Sequence, residues 1–456
     1  MSLAWNNTRH LSLLLALPLL LGGCVRQGLD ADPGEIPSLQ EQLAQNPGDV
    51  TTQTRLGIAL YKDGRFEQSR TTLSNAIEAG AESGAAYLYL GLSNEALEDW
   101  TGARNAYTSY LDVGNWGPLK DDLQKRLLLI VRNELHAAAQ AALAQEADLV
   151  SEPPQPRTVA VFPFRLVTED EGLLPLQVAL ADMMITDLAI SNALTVLERT
   201  QIQSLLDEMA LSEAGYADPA TGARAGRLLR SEHVVQGVLT TLGQENIQFD
   251  AEVMNTERAQ SSGSVSDQDR LEAIFDMEKN LVFQILDVLG ASLTQAEREA
   301  INENRAENIL SFLAYGEGLM AMDRGDFQAA ATFFEQAVST DATFGAAQAA
   351  RRQADDINEA TQTDIESATA GETSGVTGVA DAGEIAPTDN LLQETSQDVN
   401  PSATSTVIDQ GTTTTAGQDN KQATERDSTQ EATRQEGAAT TTARVTISIR
   451  RPGGDQ

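Results

Sequence analysis

The sequence predicts a mixed-sheet α/β domain flanked by all-α repeat segments and followed by a long tail that cannot build a core. Three observations carry this reading. Gly57 and Gly91 lie 34 residues apart with matching neighbours, the period of a stacked two-helix unit. Between 158 and 293, short apolar runs alternate with helix-period segments and close with turn-linked runs, the order of a mixed sheet with covering helices. Beyond 352 the chain is dominated by Thr, Ala, Gln, Ser, Gly and Asp, and no aromatic follows Phe344, so disorder is expected.

The chain opens with Arg9 and His10, an apolar run over 11–21 interrupted by Pro18, and the small residues Gly22 and Gly23 ahead of the only cysteine, Cys24. Such a run is far short of the roughly 20 apolar residues of a membrane-spanning helix and reads as a cleaved signal over 1–23. Leu21-Gly22-Gly23-Cys24 resembles the lipobox of bacterial lipoproteins. The resemblance implies lipid on the Cys24 thiol and on its freed amine. Several acyl chains anchor stably where one alone is marginal. Val25, where an Asp would retain a lipoprotein in the inner membrane, implies outer-membrane sorting and a periplasm-facing protein. With Cys24 consumed, the mature chain has no thiol for a disulfide, a metal or a nucleophile.

After a linker over 24–34, the segment 35–148 is read as helical repeats. The first copy contains Leu56, Gly57, Gly64, Phe66, Leu73 and Ala76, and the second Leu90, Gly91, Trp100, Ala103 and Tyr107. A third copy recurs downstream within 294–351, as Gly318, Gly325, Phe327, Ala330, Phe334 and Ala337. These are tetratricopeptide positions. Small residues let paired helices approach, and the aromatics fill the remaining gaps. Helices at 36–43 and 119–143 are expected to cap the upstream pair, with His136 of the latter at the surface.

Pro153, Pro154 and Pro156 mark a linker over 149–157. The α/β domain follows over 158–293. A strand is expected at 158–164, a helix at 177–191 and a short strand at 194–197. A helix from about 201 to 209 comes next, then one opened by Asp218-Pro219, an N-cap residue followed by proline at the tolerated first position. Strands at 233–241, 247–254 and 260–266 and a closing helix over 270–289 complete the unit.

Ala160-Val161-Phe162-Pro163-Phe164, Ala181-Asp182-Met183, Leu197-Glu198-Arg199 with Gln201, Asp218-Pro219 and Val235-Gln236-Gly237 resemble the CsgG family, which includes the curli secretion channel and related envelope lipoproteins. The resemblance spans about 158–290 and implies a CsgG-like fold, protein partners and a capacity for homo-oligomers. A similar fold occurs in periplasmic activators of cell-wall synthases. The channel member inserts long membrane hairpins at two junctions, after the strands matching 233–241 and 260–266. Here those junctions are a four-residue turn at 243–246 and about 267–269. A transmembrane strand needs roughly 9–11 residues, so neither junction accommodates one.

A formal charge of −36 argues against nucleic acid and anionic headgroups as partners. No catalytic, cofactor or metal residues emerge: His136 and His233 stand apart, and no phosphate-binding glycine loop occurs. Glu198 and Arg199 end a strand and open a helix, and are read as a structural pair favoured by the helix dipole. In the tail over 352–456, Val445, Ile447 and Ile449 alternate with polar residues within 444–451, the one strand-like stretch there. The sequence thus points to a non-enzymatic, lipid-anchored outer-membrane protein that binds proteins in assembling or regulating an envelope secretion or surface-polymer apparatus. Activation of a peptidoglycan synthase and membership of a curli-like secretion channel are the alternatives.

Overall fold

The computed structural model describes residues 29–113, 118–149, 151–210, 218–243 and 245–365. Leu21, Gly22, Gly23 and Cys24, and the strand-like stretch 444–451, lie outside these residues.

Five helices come first: α1 (Ile36–Gln45), α2 (Val50–Lys62), α3 (Phe66–Glu78), α4 (Gly84–Ala96) and α5 (Trp100–Val113). Their starts are set by side-chain caps. The Asp49 carboxylate accepts from the Thr51 and Thr52 amides, and Ser83 accepts from Ala86. The turn between α2 and α3 needs a left-handed residue, supplied by Gly64 at φ 74°. The corresponding turn between α4 and α5 uses Glu98 at φ 58° instead.

Next comes α6 (Pro118–Ala144), 27 residues long. It is not an end cap. Leu123, Leu127 and Ile130 join the core of the upstream repeats, whereas Leu128 and Ala139 join the core of everything downstream. A helix with apolar residues on two sides must be covered on both, so it sits between the two halves. A short α7 (Glu146–Leu149) follows.

The central sheet comprises β1 (Gln155–Val161), β2 (Arg165–Val167), β3 (Thr195–Val196), β4 (Ser231–Leu242), β5 (Asn246–Asn255) and β6 (Gln260–Arg270). The order is β3-β1-β4-β5-β6, with β2 also on β4. β1 runs parallel to β3 and β4, while β4, β5 and β6 form an antiparallel meander. The helices are α8 (Leu176–Ala189), α9 (Arg199–Glu208), α10 (Pro219–Leu228) and α11 (Ile274–Val288).

Two strand boundaries differ most from expectation. The first strand begins inside the Pro-rich linker and stops at Val161, because Pro163 has no amide to continue the ladder. β6 runs through 267–269, where a junction was expected, and pairs to its last residue with β5. Aspartates there read as a turn, yet Asp267 and Asp269 accept from the amides of Gln268 and Arg270 (2.8 and 2.7 Å) while staying extended.

The core contains Val159, Val161, Phe162 and Phe164 on the parallel side and Phe249 and Val253 on the antiparallel side. Phe164 meets Phe249 edge-on at 4.6 Å. The stretch Glu171–Ala189, apolar and long enough to cross a membrane, is 72% buried over its apolar window and serves as the central core helix.

Beyond the sheet lie α12 (Gln295–Glu303), α13 (Ile309–Asp323), α14 (Phe327–Thr340) and α15 (Gly345–Gln362). α13 rests directly on α8, so closely that a Cβ on Gly316 would sit 2.4 Å from the Pro175 carbonyl oxygen. α15 continues to Gln362, past the expected start of the tail at 352. Its buried face is Ala347, Ala350, Ala354, Ile357 and Ala360 at helical spacing, an apolar stripe hidden inside an alanine-rich composition. That face packs along α6, and Ile365 reaches the core of the upstream repeats.

Candidate functional site

The repeat glycines on the first helices lie against side chains of the second helices. A Cβ on Gly57 would lie 2.5 Å from Leu73 Cγ, one on Gly91 2.3 Å from Tyr107 Cε1, and one on Gly318 2.3 Å from Phe334 Cε1. In each copy the glycine on the first helix receives a large side chain 16 positions on. Ala103, Ala330 and Ala337 are fully buried beside these contacts. Leu56 packs toward α1, and Ala76 toward Ala81 and Ala86 of the next unit. Phe66, Trp100 and Phe327 are half-buried at the starts of the second helices. Phe327 lies under the guanidinium of Arg132 from α6, 5.4 Å from ring centroid to Cζ.

Glu198 is a buried N-cap position, and Arg199 turns toward Asp182 on α8 (3.3 Å) and Asp323 at the end of α13 (2.7 Å). The Tyr315 hydroxyl donates to Asp182 at 2.5 Å, and Arg132 donates to the Asp323 carbonyl at 2.9 Å. The Arg199 side chain is 4% exposed and that of Asp182 2%. Desolvating an arginine is costly, so it is held by two carboxylates at once. α6, the sheet domain and the downstream repeat therefore meet at one ionic junction. Sequence spacing could not reveal it, because Asp323 lies 124 residues from Arg199.

Beside this junction, an open cleft of about 350 Å³ is lined by Gln177, Asp207, Asp323 and Arg324 among others. Burial raises the pKa of the Asp207 carboxyl. Half-buried His136 faces the same region rather than open solvent, and burial followed by the Arg132 charge lowers its pKa. Burial likewise lowers that of His233 on β4, which favours the neutral form of both imidazoles.

A second charged cluster lies between α8 and α11. Lys279 contacts Asp187 and, at 2.9 Å, Glu278, while Asn304 donates to Asp187 at 2.6 Å. Two carboxyls share one ammonium, and Glu278 is pushed up to about 8, by burial first, with Lys279 opposing and Asp187 adding to it. The cluster is buried, with Lys279 5% exposed and Asp187 and Glu278 at 0%. Among the described residues, no group of three or more His, Cys, Asp or Glu side chains is placed to hold a metal.

The remaining motif residues have local roles. Asp218 caps α10 by accepting from Thr221, with Pro219 at the first position. Gly237 lets β4 approach β5, since a Cβ there would lie 2.3 Å from the Asp250 carbonyl oxygen.

Residues 140–250 match the model of the curli production assembly/transport component CsgG. The chain carries a CsgG-family domain. Residues 54–116 match a tetratricopeptide repeat model, so the CsgG-family domain carries protein-interaction repeats on its amino-terminal side. The CsgG match begins in the last turns of α6 and ends within β5. Its two families are of the transport-and-assembly and protein-interaction kinds. No curated protein matches the chain.

Proposed function

We propose that this CsgG-family protein is a lipid-anchored envelope adaptor. Cys24 tethers it to the outer membrane on the periplasmic side, its upstream repeats capture a protein partner, and its CsgG-family domain presents a second surface to an assembly or secretion apparatus. The observation that carries this reading is the joining of interaction repeats to the family domain through α6 and the Arg199 junction. The chain connections support an adaptor over a pore. Three residues separate β4 from β5, and a single 3₁₀ turn, Leu271–Ala273, separates β6 from α11. Transmembrane hairpins would need strands of roughly 9–11 residues inserted at these places.

Crosslinking in living cells, purification of the full-length protein and mass spectrometry of its companions test the proposal. Co-purified secretion or surface-fibre components are expected. Recovery of the protein alone as a large ring would replace the adaptor reading with a channel subunit, and cell-wall synthases would replace it with a synthase activator. Lipid attachment is checked separately, by loss of labelled fatty acid from Cys24→Ala.

A further inference from the structure

Two features have no role in the adaptor reading: the outer edge of β6, and the arginine-bearing stretch 444–451. Among the described residues, no strand pairs with the outer side of β6. Native edges are usually blunted by charge, proline or a bulge. β6 has a register shift near Gly263, opposite Val253 and Met254, and beyond it 263–270 is regular. The amides of Gln268 and Arg270 donate to the Asp267 and Asp269 carboxylates, which occupy places a neighbouring strand's carbonyls would take.

The two sides of this edge differ in chemistry. Toward α11, Val265 is buried, and a Cβ on Gly263 would lie 2.9 Å from Val288. On the opposite side, an open groove of about 360 Å³ runs along the strands, lined by Gln236, Asp250, Glu252, Ser264 and Ser266. The Ser266 hydroxyl donates to Asp250 at 2.5 Å, fixing both on that side. Toward α11 the edge is small and apolar at Gly263 and Val265 and acidic further on, at Asp267 and Asp269; the other face is polar and acidic throughout.

Residues 444–451 read Arg-Val-Thr-Ile-Ser-Ile-Arg-Arg. Extended, they would place Val445, Ile447 and Ile449 on one face and Arg444, Thr446, Ser448 and Arg450 on the other. The stretch matches the regular part of β6 in length, eight residues against eight. It is also a basic island in an acidic chain, with no Asp or Glu between Glu436 and Asp455.

We propose that 444–451 adds a strand to the outer edge of β6 in the same molecule, its Val and Ile residues beside Val265 and Val288 and its Arg444 and Arg450 toward Asp250 and Glu252. With the added strand parallel to β6 and Ile447 beside Val265, Arg451 would lie beside Asp269 on the same face. Ladder hydrogen bonds supply affinity and the alternating faces supply register. A flexible coil of 78 residues, the length of 366–443, would span about 50 Å root-mean-square, against a radius of gyration of about 20 Å for a body of this size. A tether of that length gives an effective concentration on the order of 1 mM. A pairing of about 0.1 mM affinity would then be closed about ten times as often as open.

Hydrogen exchange of the full-length protein in detergent tests this. Ending the chain at Ala443 should speed exchange of the outward amides of β6 about tenfold. A synthetic peptide covering 442–452 should restore their protection, and a scrambled peptide should not. Asp250→Asn with Glu252→Gln should weaken the peptide's effect, most at low salt. Unchanged β6 exchange on truncation would overturn the proposal. An oligomer that falls to monomer on truncation would also overturn it, by placing the strand on a second copy.

Discussion

Replacing Arg199 with methionine keeps most of the aliphatic stem and removes the charge at the junction of α6, α8 and α13. Asp182 and Asp323 would lose their shared guanidinium while their side chains remain 2% and 15% exposed. Removing one partner of a buried ion pair costs roughly 3–5 kcal/mol, because a desolvated charge is left uncompensated. The expected loss is in that range, since Asp323 can turn partly to water but Asp182 cannot. Adding Asp182→Asn tests the cause: asparagine still accepts from the Tyr315 hydroxyl, so the double variant should recover about 2 kcal/mol relative to Arg199→Met. Urea unfolding at pH 7, followed by circular dichroism, reads both losses. The buried core runs without a break from the sheet into α13 and α14, so this region should unfold in one transition. A loss below about 1 kcal/mol for Arg199→Met, or no recovery in the double variant, would refute the junction as a source of stability.

Other outcomes follow from single positions. Glu98→Gly should raise stability by roughly 0.5–1 kcal/mol, because it relieves a left-handed residue at φ 58° where the other copies use Gly64 and Gly325; thermal unfolding would show it. Gly318→Ala should cost about 1–3 kcal/mol by driving a methyl to within 2.3 Å of the Phe334 ring, whereas Gly34→Ala, with nothing within 4 Å, should be close to neutral in the same assay. The Glu278 carboxyl has its pKa raised from 4.5 to about 8 in the folded state, so the protonated form contributes stability that is complete below about 4.5 and lost as pH rises through about 8. The wild type's urea midpoint relative to that of Glu278→Gln should therefore fall between pH 5 and pH 8, and a difference that is flat or rises would contradict a buried, protonated Glu278.

Local rules went far in this chain. The repeat glycines were legible because sterics demand a small residue at Gly57, Gly91 and Gly318, and Asp218-Pro219 because capping chemistry lies within four residues. Strand boundaries slipped where a side chain stood in for a missing partner, as Asp267 and Asp269 do, or where proline ended a ladder inside an apolar run, as at Pro163. The junction was illegible in kind: Arg199 meets Asp182 and Asp323 only after folding, and its neighbour Glu198 is the more obvious partner on paper. α15 was lost to composition, since alanines that look like low complexity form an apolar stripe once wound at 3.6 residues per turn.

The continuity of α6 also sets a dimension. At 1.5 Å per residue its 27 residues make a strut of about 40 Å, with the upstream repeats packed on one flank and the sheet domain and α15 on the other. Nothing along it hinges, for proline occurs only at its first residue. Two partners held at opposite ends of this molecule would stand at a set distance and angle, so the protein would act as a gauge that admits only assemblies of matching geometry.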